Sequence, residues 1–385
     1  MTFNFDEHID RRDGDSSKWR KYGPEVLPLW VADMDFAVAP AIVAALRTRL
    51  EHPVFGYGLA RDSLRDAIVA DMAARYDWTI TAADIVFLPG VEPGFNMALK
   101  AFLQPGDGVL VQPPVYAPIL AAPGHWQLRR VEAPLLPDAD GGWRIDVEQF
   151  ERGLDDARAF LLCHPHNPVG KVFTRTELTA IAERCVARDV LIISDEIHGE
   201  LLFDGRRHVP IASLSDEVAQ RTVTLMAASK TYNIAGLKTA FAIIPNAALR
   251  ERFVASKLGM VDSVNVLGLE ATLAAYTGAA DWRRELLAYL QGNRDWLVEQ
   301  VAIQLPGVTV RAPQGTFLAW LDCSALQLAP DPQRFFLDHA QVGLNPGADF
   351  GAAYGQCVRL NFGCTRATLA EAIARMARAV AARHG

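Results

Sequence analysis

A lysine that follows an apolar stretch is the residue of this sequence with the clearest chemical potential. Lys230 comes after the strand-like residues 223–228 and stands in a Ser-Lys-Thr run. Burial of an ammonium group is costly and readily lowers its pKa. An amine whose pKa is lowered is a good nucleophile toward carbonyls, so Lys230 is a candidate Schiff-base lysine. The alternative is a lysine at a strand end that extends its charged group into solvent.

Two more charged residues and a histidine occupy surroundings that favour a ligand. Asp195 follows the strongly apolar residues 190–193, where a carboxylate needs a hydrogen bond or a cationic partner such as a protonated ring nitrogen. His198 lies three residues later and could reach the same ligand. Arg359 has apolar neighbours, and its planar guanidinium is suited to binding a carboxylate through two hydrogen bonds. A structural ion pair is the alternative for Asp195 and for Arg359.

Three turns after predicted strands carry further candidate groups. In the run Pro-Gly-Val-Glu, the backbone N–H groups of Gly90, Val91 and Glu92 open a helix and could bind a phosphate, although ordinary turns look similar. Tyr116 could stack on a flat heterocycle or simply pack in the core. Asn167, in Asn-Pro-Val-Gly, offers an amide to a ligand or only forms a turn.

The elements that position these residues predict an α/β fold. Short β-rich runs alternate with amphipathic helical patterns from about residue 85 to 244. Such alternation indicates a mostly parallel sheet covered by helices on both faces. Ligands of these sheets bind beyond the carboxyl ends of the strands, where Asn167, Asp195 and Lys230 would lie.

The remainder of the chain predicts a second, smaller domain. The pattern is helical for about sixty residues after 246, and a strand–helix mixture follows residue 307. The segment 1–45 is expected to pack with this part, because the extended run 28–36 joins no sheet of its own. The predicted division is a large domain at 46–280 and a small α+β domain formed by 1–45 and 281–385.

Composition excludes several classes of partner. The 385 residues carry a net charge of −7, which argues against a nucleic-acid or anionic-membrane partner. Early acidic residues and the lack of an apolar run indicate no signal peptide, and no stretch approaches the ~20 apolar residues that span a bilayer. Five cysteines without a C-x-x-C motif favour a reducing, cytoplasmic location.

The run Cys-His-Pro-His at 163–166 contains residue types that bind metals. No second Cys/His cluster in the sequence offers matching ligands. We therefore expect no metal site.

The order of these motifs resembles that of the fold-type I pyridoxal-phosphate (PLP) enzymes of the aminotransferase class I/II family, over essentially the whole chain. Finer features are similar to the PatB-type cystathionine β-lyases and C–S lyases: Pro-Leu-Trp-Val-Ala-Asp-Met-Asp-Phe at 28–36, Phe-Gly-Tyr-Gly at 55–58, Asp-Glu-Ile-His at 195–198, Ser229 to Leu237, and Arg-Leu-Asn at 359–361. His198 stands where the wider family usually has tyrosine, and histidine is typical of the C–S lyase branch.

The resemblance implies a large domain with a mostly parallel seven-stranded sheet between helices, plus a smaller α+β domain, and the cofactor pyridoxal 5′-phosphate. It also implies a homodimer. The resemblance implies that Lys230 attaches the cofactor and transfers protons, that Asp195 binds the ring nitrogen, and that Tyr116 stacks on the ring, with Asn167 and His198 on the ring-hydroxyl side. Phosphate binding is implied for Gly90, Val91, Glu92, Ser229 and Lys238, and Tyr57 would contact the phosphate of the neighbouring subunit. The substrate's α-carboxylate would be bound by Arg359 and Ala32, beside Tyr116 and Asn167.

The implied activity is a β-lyase reaction on L-cystathionine or a cysteine S-conjugate, giving thiol, pyruvate and ammonia. An aminotransferase would use the same residues and remains an alternative. A non-catalytic regulator with this fold is a further alternative, but such regulators usually carry an N-terminal DNA-binding domain. Only 45 residues precede the predicted large domain here.

Overall fold

The computed structural model of the protein describes residues 2–139, 141–261 and 263–384. Its strands are β1 (Leu27–Pro28), β2 (Ile85–Leu88), β3 (Gly108–Val111), β4 (Arg129–Glu132), β5 (Leu135–Pro137), β6 (Trp143–Ile145), β7 (Ala159–Cys163), β8 (Leu191–Asp195), β9 (Thr222–Met226), β10 (Ala240–Ile243), β11 (Thr309–Val310), β12 (Leu318–Asp322), β13 (Val342–Gly343), β14 (Asn345–Pro346) and β15 (Cys357–Asn361).

The α-helices in the described residues are α1 (Ser17–Arg20), α2 (Pro40–Leu50), α3 (Asp62–Tyr76), α4 (Val91–Phe102), α5 (Ala117–His125), α6 (Val147–Asp155), α7 (Arg175–Ala187), α8 (Asp216–Ala219), α9 (Ala247–Ala255), α10 (Val266–Gly278), α11 (Ala280–Gln304), α12 (Pro332–Ala340) and α13 (Arg366–Ala381). Short 3-10 turns lie at Ala82–Asp84, Ile211–Ser213, Ala235–Leu237, Ser324–Leu326, Gly347–Phe350, Ala352–Tyr354 and Ala382–His384.

A seven-stranded sheet forms the centre of the large part of the molecule. Its strand order is β2-β10-β9-β8-β7-β3-β4. Strand β10 runs antiparallel to β2 and β9, and the other neighbours are parallel. Strands β3, β7 and β9 are buried along their whole length, as expected for a sheet covered on both faces. The predicted α/β fold with a mostly parallel seven-stranded sheet is confirmed.

The register of the central strands brings their carboxyl ends to one edge. Cys163, the last residue of β7, pairs with Asp195, the last residue of β8, and Asp195 pairs with Leu225 of β9. The turns after these three strands therefore meet at one edge, where ligands of such sheets bind.

A second sheet of four antiparallel strands lies in the C-terminal part, in the order β11-β12-β15-β14. Arg359 in β15 pairs with Trp320 of β12 on one side and with Asn345 of β14 on the other. Helices α12 and α13 pack together and against this part of the chain.

The expectation that the run 28–36 joins no sheet is wrong. Leu27 and Pro28 form β1, which pairs in parallel with β13. Beyond this pair, Leu29 N–H donates to Gly343 O (2.8 Å), and Asn361 N–H donates to Leu29 O (2.9 Å). A two-residue strand is too short to produce a periodic pattern, and its partner lies more than 300 residues later.

The N-terminal segment shares a hydrophobic core with the C-terminal part. Phe5, Leu29, Met34 and Phe36 are buried in the same cluster as the side chains of β12, β15 and α13. The domain division at 46–280 stays a prediction, and its first boundary falls inside α2. No helix in the described residues combines the length and apolar character needed to cross a membrane.

Candidate active site

A cleft of about 460 Å³ opens at the carboxyl edge of the central sheet, within the size range of small-molecule sites. Every residue predicted for the site lines it except Tyr57. The predicted residues in the cleft are Ala32, Gly90, Val91, Glu92, Tyr116, Asn167, Asp195, His198, Ser229, Lys230, Lys238 and Arg359.

Lys230 extends its amine into the cleft. Its Nζ donates to Ala32 O at 2.7 Å. Burial lowers the pKa of Lys230 to about 8, and the charge of Arg359 acts in the same direction. A substantial fraction of this amine is neutral near pH 7–8, as a nucleophile or base requires. Lys171 differs, because its Nζ forms an ion pair with Glu177 at 2.7 Å. The solvent-extended alternative for Lys230 is therefore disfavoured.

Asp195 is buried at the end of β8 without a cationic partner. Its Oδ1 accepts a hydrogen bond from Ile197 N–H at 3.2 Å, and no basic side chain of the described residues lies within ion-pair distance. Burial raises the pKa of Asp195 to about 7, although the Ile197 N–H group and the charge of Lys230 act against this rise. The ion-pair alternative is disfavoured, and a cationic ligand group would satisfy this carboxylate.

His198 faces the same cleft as a neutral imidazole. Burial holds its pKa well below the usual value, and the charges of Lys230 and Arg359 add to this effect. Its buried Nδ1 atom has no hydrogen-bond partner among the described residues. The ring makes an edge contact with Phe317, with centroids 5.9 Å apart. One nitrogen of His198 is thus free to bond a ligand oxygen.

Tyr116 and Asn167 are held together by their backbones. Tyr116 N–H donates to Asn167 O at 3.0 Å. The Tyr116 hydroxyl lies 3.5 Å from Glu92 Oε2, to which it donates. Burial raises the pKa of Tyr116, and the Glu92 carboxylate raises it further, so the phenol stays protonated. The aromatic face is thereby fixed beside Asn167 in the cleft.

Arg359 is buried in β15, and its hydrogen-bond partners among the described residues are all neutral oxygen atoms. It donates from Nη1 to Asn167 Oδ1 (3.1 Å) and from Nη2 to Trp30 O (2.8 Å) and Asn345 Oδ1 (2.5 Å). Its Nε is buried and has no hydrogen-bond partner in residues 2–139, 141–261 and 263–384. Burial lowers the pKa of Arg359 to about 10, which still leaves it protonated at neutral pH. The structural ion-pair alternative is disfavoured, and the uncompensated charge suits an incoming carboxylate.

The opposite end of the cleft suits a phosphate. Helix α4 begins at Val91, directly after Gly90, and its first N–H groups lack partners within the helix. Ser229 and the exposed Lys238 line the same end. Lys238 takes a left-handed backbone conformation (φ 49°) after the 3-10 turn Ala235–Leu237. These donors form a cradle for a dianion.

The structure adds residues that sequence reasoning did not assign. Residues 30–36, here called the active-site segment, present the backbone carbonyls of Trp30 and Ala32 to the cleft and hold further contacts with Asn361 and Asn233. Arg359 contacts Trp30 O, and Asn361 Nδ2 donates to Val31 O and Asp33 O. Asn233 Nδ2 donates to Met34 O and Phe36 O. The motif at 28–36 marked the segment, but no sequence signal marked these contacts or Asn345.

The histidines near residue 165 contact other groups of the protein. His166 Nε2 lies 2.9 Å from Pro114 O, and His164 stacks on His208 with centroids 4.4 Å apart. No group of three or more His, Cys, Asp or Glu suited to a metal ion occurs among the described residues.

Tyr57 lies outside the cleft of its own chain. Its side chain is 95% exposed and lines a separate surface pocket beside Arg49 and Leu273. Its predicted reach into a neighbouring subunit stays a prediction.

Comparisons with known proteins place this geometry in a family. The family model for aminotransferase class I and II matches residues 24–376. The chain is 38% identical to cystathionine beta-lyase PatB of Bacillus subtilis (strain 168), covering 97% of this chain and 98% of that protein. The crystal structure of OvoB is similar, with a TM-score of 0.94, 42% identity and coverage of 98% and 99% of the two chains.

A third relative is cystalysin from Treponema denticola, whose crystal structure contains a pyridoxal 5′-phosphate cofactor. Its TM-score is 0.95 at 30% identity, and each chain is covered completely. As its motifs indicated, the chain belongs to the aminotransferase class I and II family.

Proposed function

We propose that this protein is a PLP-dependent carbon–sulfur β-lyase that converts L-cystathionine or a cysteine S-conjugate to thiol, pyruvate and ammonia. The observation that carries the proposal is one cleft with three groups: the low-pKa amine of Lys230, the unpaired carboxylate of Asp195 and the uncompensated charge of Arg359. The similarity to cystathionine beta-lyase PatB over 97% of the chain supports β-elimination as the reaction.

The cofactor is pyridoxal 5′-phosphate, and the polar groups of the cleft fit it. The Lys230 amine suits the cofactor's aldehyde, and the buried Asp195 carboxylate suits its ring nitrogen. The unpartnered His198 Nδ1 atom and the Asn167 amide suit the ring hydroxyl, and the Tyr116 face suits the ring. The donors at the start of α4, with Ser229 and Lys238, suit the phosphate.

Bound there, the cofactor would withdraw electrons from the Cα atom of an amino acid. Arg359 binds the α-carboxylate beside the active-site segment. Once the substrate amine had displaced it, the neutral Lys230 amine would take the Cα proton, a role that suits a pKa of about 8. The electron pair left at Cα forms a Cα–Cβ double bond while the Cβ–S bond breaks. The thiolate leaves with that bond's electrons and takes up a proton, and water hydrolyses the released 2-aminoacrylate to pyruvate and ammonia.

An aminotransferase is the second candidate, because the family model describes aminotransferases and the same side chains serve that reaction. The two reactions differ in whether the substituent on Cβ is expelled. A regulator without turnover is less consistent with the pKa-shifted amine of Lys230. A gel-shift assay with DNA tests this third candidate. Unchanged migration of the DNA at every protein concentration would exclude it.

The activity prediction concerns L-cystathionine. We expect the purified protein to release pyruvate and free thiol from it over many turnovers without any added 2-oxo acid, because a thiolate on Cβ is a good leaving group. L-Alanine has no leaving group, and it should only bleach the visible absorbance of the cofactor slowly. Pyruvate is assayed with lactate dehydrogenase and thiol with a disulfide dye. Product formation that requires a 2-oxo acid would identify an aminotransferase instead.

Carboxylate recognition gives a second prediction. Arg359→Lys keeps the charge and loses the planar pair of donors, so the KM for amino acids should rise by roughly 10- to 100-fold. The absorbance of the bound cofactor should not change, because lysine keeps the positive charge that acts on Lys230 and Arg359 forms no hydrogen bond with Lys230 or Asp195 in the described structure. The exposed Arg129→Lys serves as control. An unaltered KM in Arg359→Lys would assign carboxylate binding to another group.

We also propose a homodimer in which Tyr57 reaches the neighbouring cleft. Exposed apolar side chains support this proposal, because eight of the ten large ones in the described residues fall in the two segments 50–59 and 254–260. They are Leu50, Val54, Phe55, Tyr57, Leu59, Val254, Leu258 and Met260. Leu59 and Val254 line the same surface groove of about 880 Å³, so these two segments adjoin and offer one apolar area to a second copy. A single-chain mass in sedimentation at micromolar concentration would contradict the dimer.

A cytoplasmic location forms part of the proposal. All five cysteines are buried as free thiols, which suits a reducing compartment. Recovery of the native protein in a secreted fraction would contradict this location.

A further inference from the structure

Glu92 is the charged residue of the cleft that the proposed reaction does not use. Among the described residues, the charged side chains that line the cleft are Glu92, Asp195, Lys230, Lys238 and Arg359. Four of them have tasks toward the cofactor or the α-carboxylate. For Glu92, the role at the phosphate end belongs to its backbone N–H group. Its carboxylate therefore has no role in the proposed reaction.

The Glu92 carboxylate is not neutralised within its own chain. It is exposed on the first turn of α4, and no basic side chain of the described part of the chain lies within ion-pair distance. Its side-chain contact is the Tyr116 hydroxyl, at a distance of 3.5 Å from Oε2. That contact is at the outer limit of a hydrogen bond and leaves most of the carboxylate's acceptor capacity unused.

The position of Glu92 relative to Arg359 indicates which part of a substrate it meets. Asn167 contacts Arg359 through its side chain and the Tyr116 N–H group through its backbone carbonyl. The Tyr116 ring extends from that point, and its hydroxyl reaches Glu92. Glu92 and the carboxylate-binding Arg359 therefore lie at opposite ends of the Asn167–Tyr116 pair. An amino acid with its α-carboxylate at Arg359 can direct its sulfur substituent toward Glu92.

We propose that the Glu92 carboxylate binds a positively charged group on the sulfur leaving group, and this inference rests on the proposed β-lyase function. The preferred substrates are then cysteine S-conjugates whose thiol carries an ammonium or another cation. The departing thiol of L-cystathionine carries such an ammonium group together with a carboxylate, so a substituent with a single positive charge is the sharper test of Glu92. An anionic thiol substituent would be repelled by the same carboxylate.

The expected preference is modest because Glu92 is exposed. Exposed ion pairs change affinity by roughly fivefold or less, and a cleft that excludes part of the solvent moves the effect toward the upper end of this range. We expect the cationic substituent to bind roughly fivefold more tightly than a neutral one of the same length.

The test compares three substrates with similar chain length and different charge: S-(2-aminoethyl)-L-cysteine, S-propyl-L-cysteine and S-(carboxymethyl)-L-cysteine. Their kcat/KM values for pyruvate release are measured with the holoenzyme at pH 7 and low salt. The order should be cationic, then neutral, then anionic. Glu92→Gln should remove the difference between the cationic and the neutral substrate, and Glu92→Lys should favour the anionic one.

Binding is measured separately with analogues that have carbon in place of sulfur and so cannot lose a thiol: L-lysine, L-2-aminoheptanoate and L-2-aminoadipate. Their dissociation constants follow from the change in cofactor absorbance. This measurement tests Glu92 even if no pyruvate forms. Absence of pyruvate from all three cysteine conjugates would refute the β-lyase function, whereas the charge order of the analogues supports or refutes Glu92 by itself.

Glu217→Gln is the matched control. Glu217 is also exposed at the second position of a helix, α8, and it lies outside the cleft. It should leave all three dissociation constants unchanged. Equal weakening of all three analogues by Glu92→Gln would overturn the proposal, because it would indicate a general effect on the cofactor end. The proposal would also be overturned if Glu92→Gln changed the sedimentation mass of the protein but left the order of the three dissociation constants unchanged. That result would assign Glu92 to a contact between subunits.

Discussion

Replacing Lys230 with alanine is expected to reduce pyruvate formation from L-cystathionine by roughly 10³-fold or more, because one amine supplies both the covalent attachment and the base. Treating the wild-type protein with borohydride should fix the cofactor onto the peptide that contains Lys230. The Lys230→Ala protein should take up no borohydride-stable cofactor. Peptide mapping by mass spectrometry, together with the pyruvate assay, measures both effects.

The exposed Lys100→Ala is a suitable control, since Lys100 lies near the end of α4 and outside the cleft. It should retain wild-type labelling and turnover. Labelling on the peptide of Lys171 or Lys238 would contradict the assignment. Labelling of Lys171 is not expected, because its Nζ already forms an ion pair with Glu177.

Asp195→Ala is expected to lower turnover by roughly 10²- to 10³-fold, the cost typical of removing one electrostatic partner from a catalytic site. Some cofactor should remain bound, because Lys230 and the donors at the start of α4 are unchanged. Stopped-flow absorbance and the pyruvate assay measure the two quantities. Near-normal turnover would show that the ring nitrogen has another partner.

The isosteric Asp195→Asn separates charge from packing. It keeps the shape of the side chain and removes the negative charge, so it should lose turnover to a similar degree. Neither substitution is expected to lower the free energy of unfolding strongly, because burial without a cationic partner already raises the pKa of Asp195 to about 7. A large loss of thermal stability in Asp195→Asn would indicate a structural role.

Local motifs made much of the site predictable from sequence. Asp195 and Lys230 each follow an apolar run that forms a central strand, and Asn167 follows another. In a parallel sheet the carboxyl ends of neighbouring strands share one edge, so predicting the strands also predicted that these side chains meet. The helix start after Gly90 was predictable in the same way.

Contacts between distant parts of the chain could not be predicted. Asn345 reaches Arg359 only because β14 pairs with β15. The pairing of β1 with β13 depends on a register that two residues cannot encode. The environment of Arg359 needed the same long-range information, because its partners Trp30 and Asn167 are 329 and 192 residues away in the sequence. Side-chain type predicted a carboxylate-binding arginine, but not the neutral partners that keep its charge available.

The active-site segment has a consequence for how this chain tolerates mutation. Its backbone carbonyls form these contacts: Ala32 O accepts from Lys230, and Trp30 O accepts from Arg359. The carbonyls of Val31 and Asp33 accept from Asn361. A carbonyl is present whatever the side chain, so single substitutions at Val31 or Ala32 leave these bonds available. A one-residue insertion or deletion would displace every carbonyl by one position and disconnect several distant partners together. At Val31 and Ala32, length is therefore a stronger limit on mutation than side-chain identity, whereas Met34 and Phe36 are also restricted by their packing in the core.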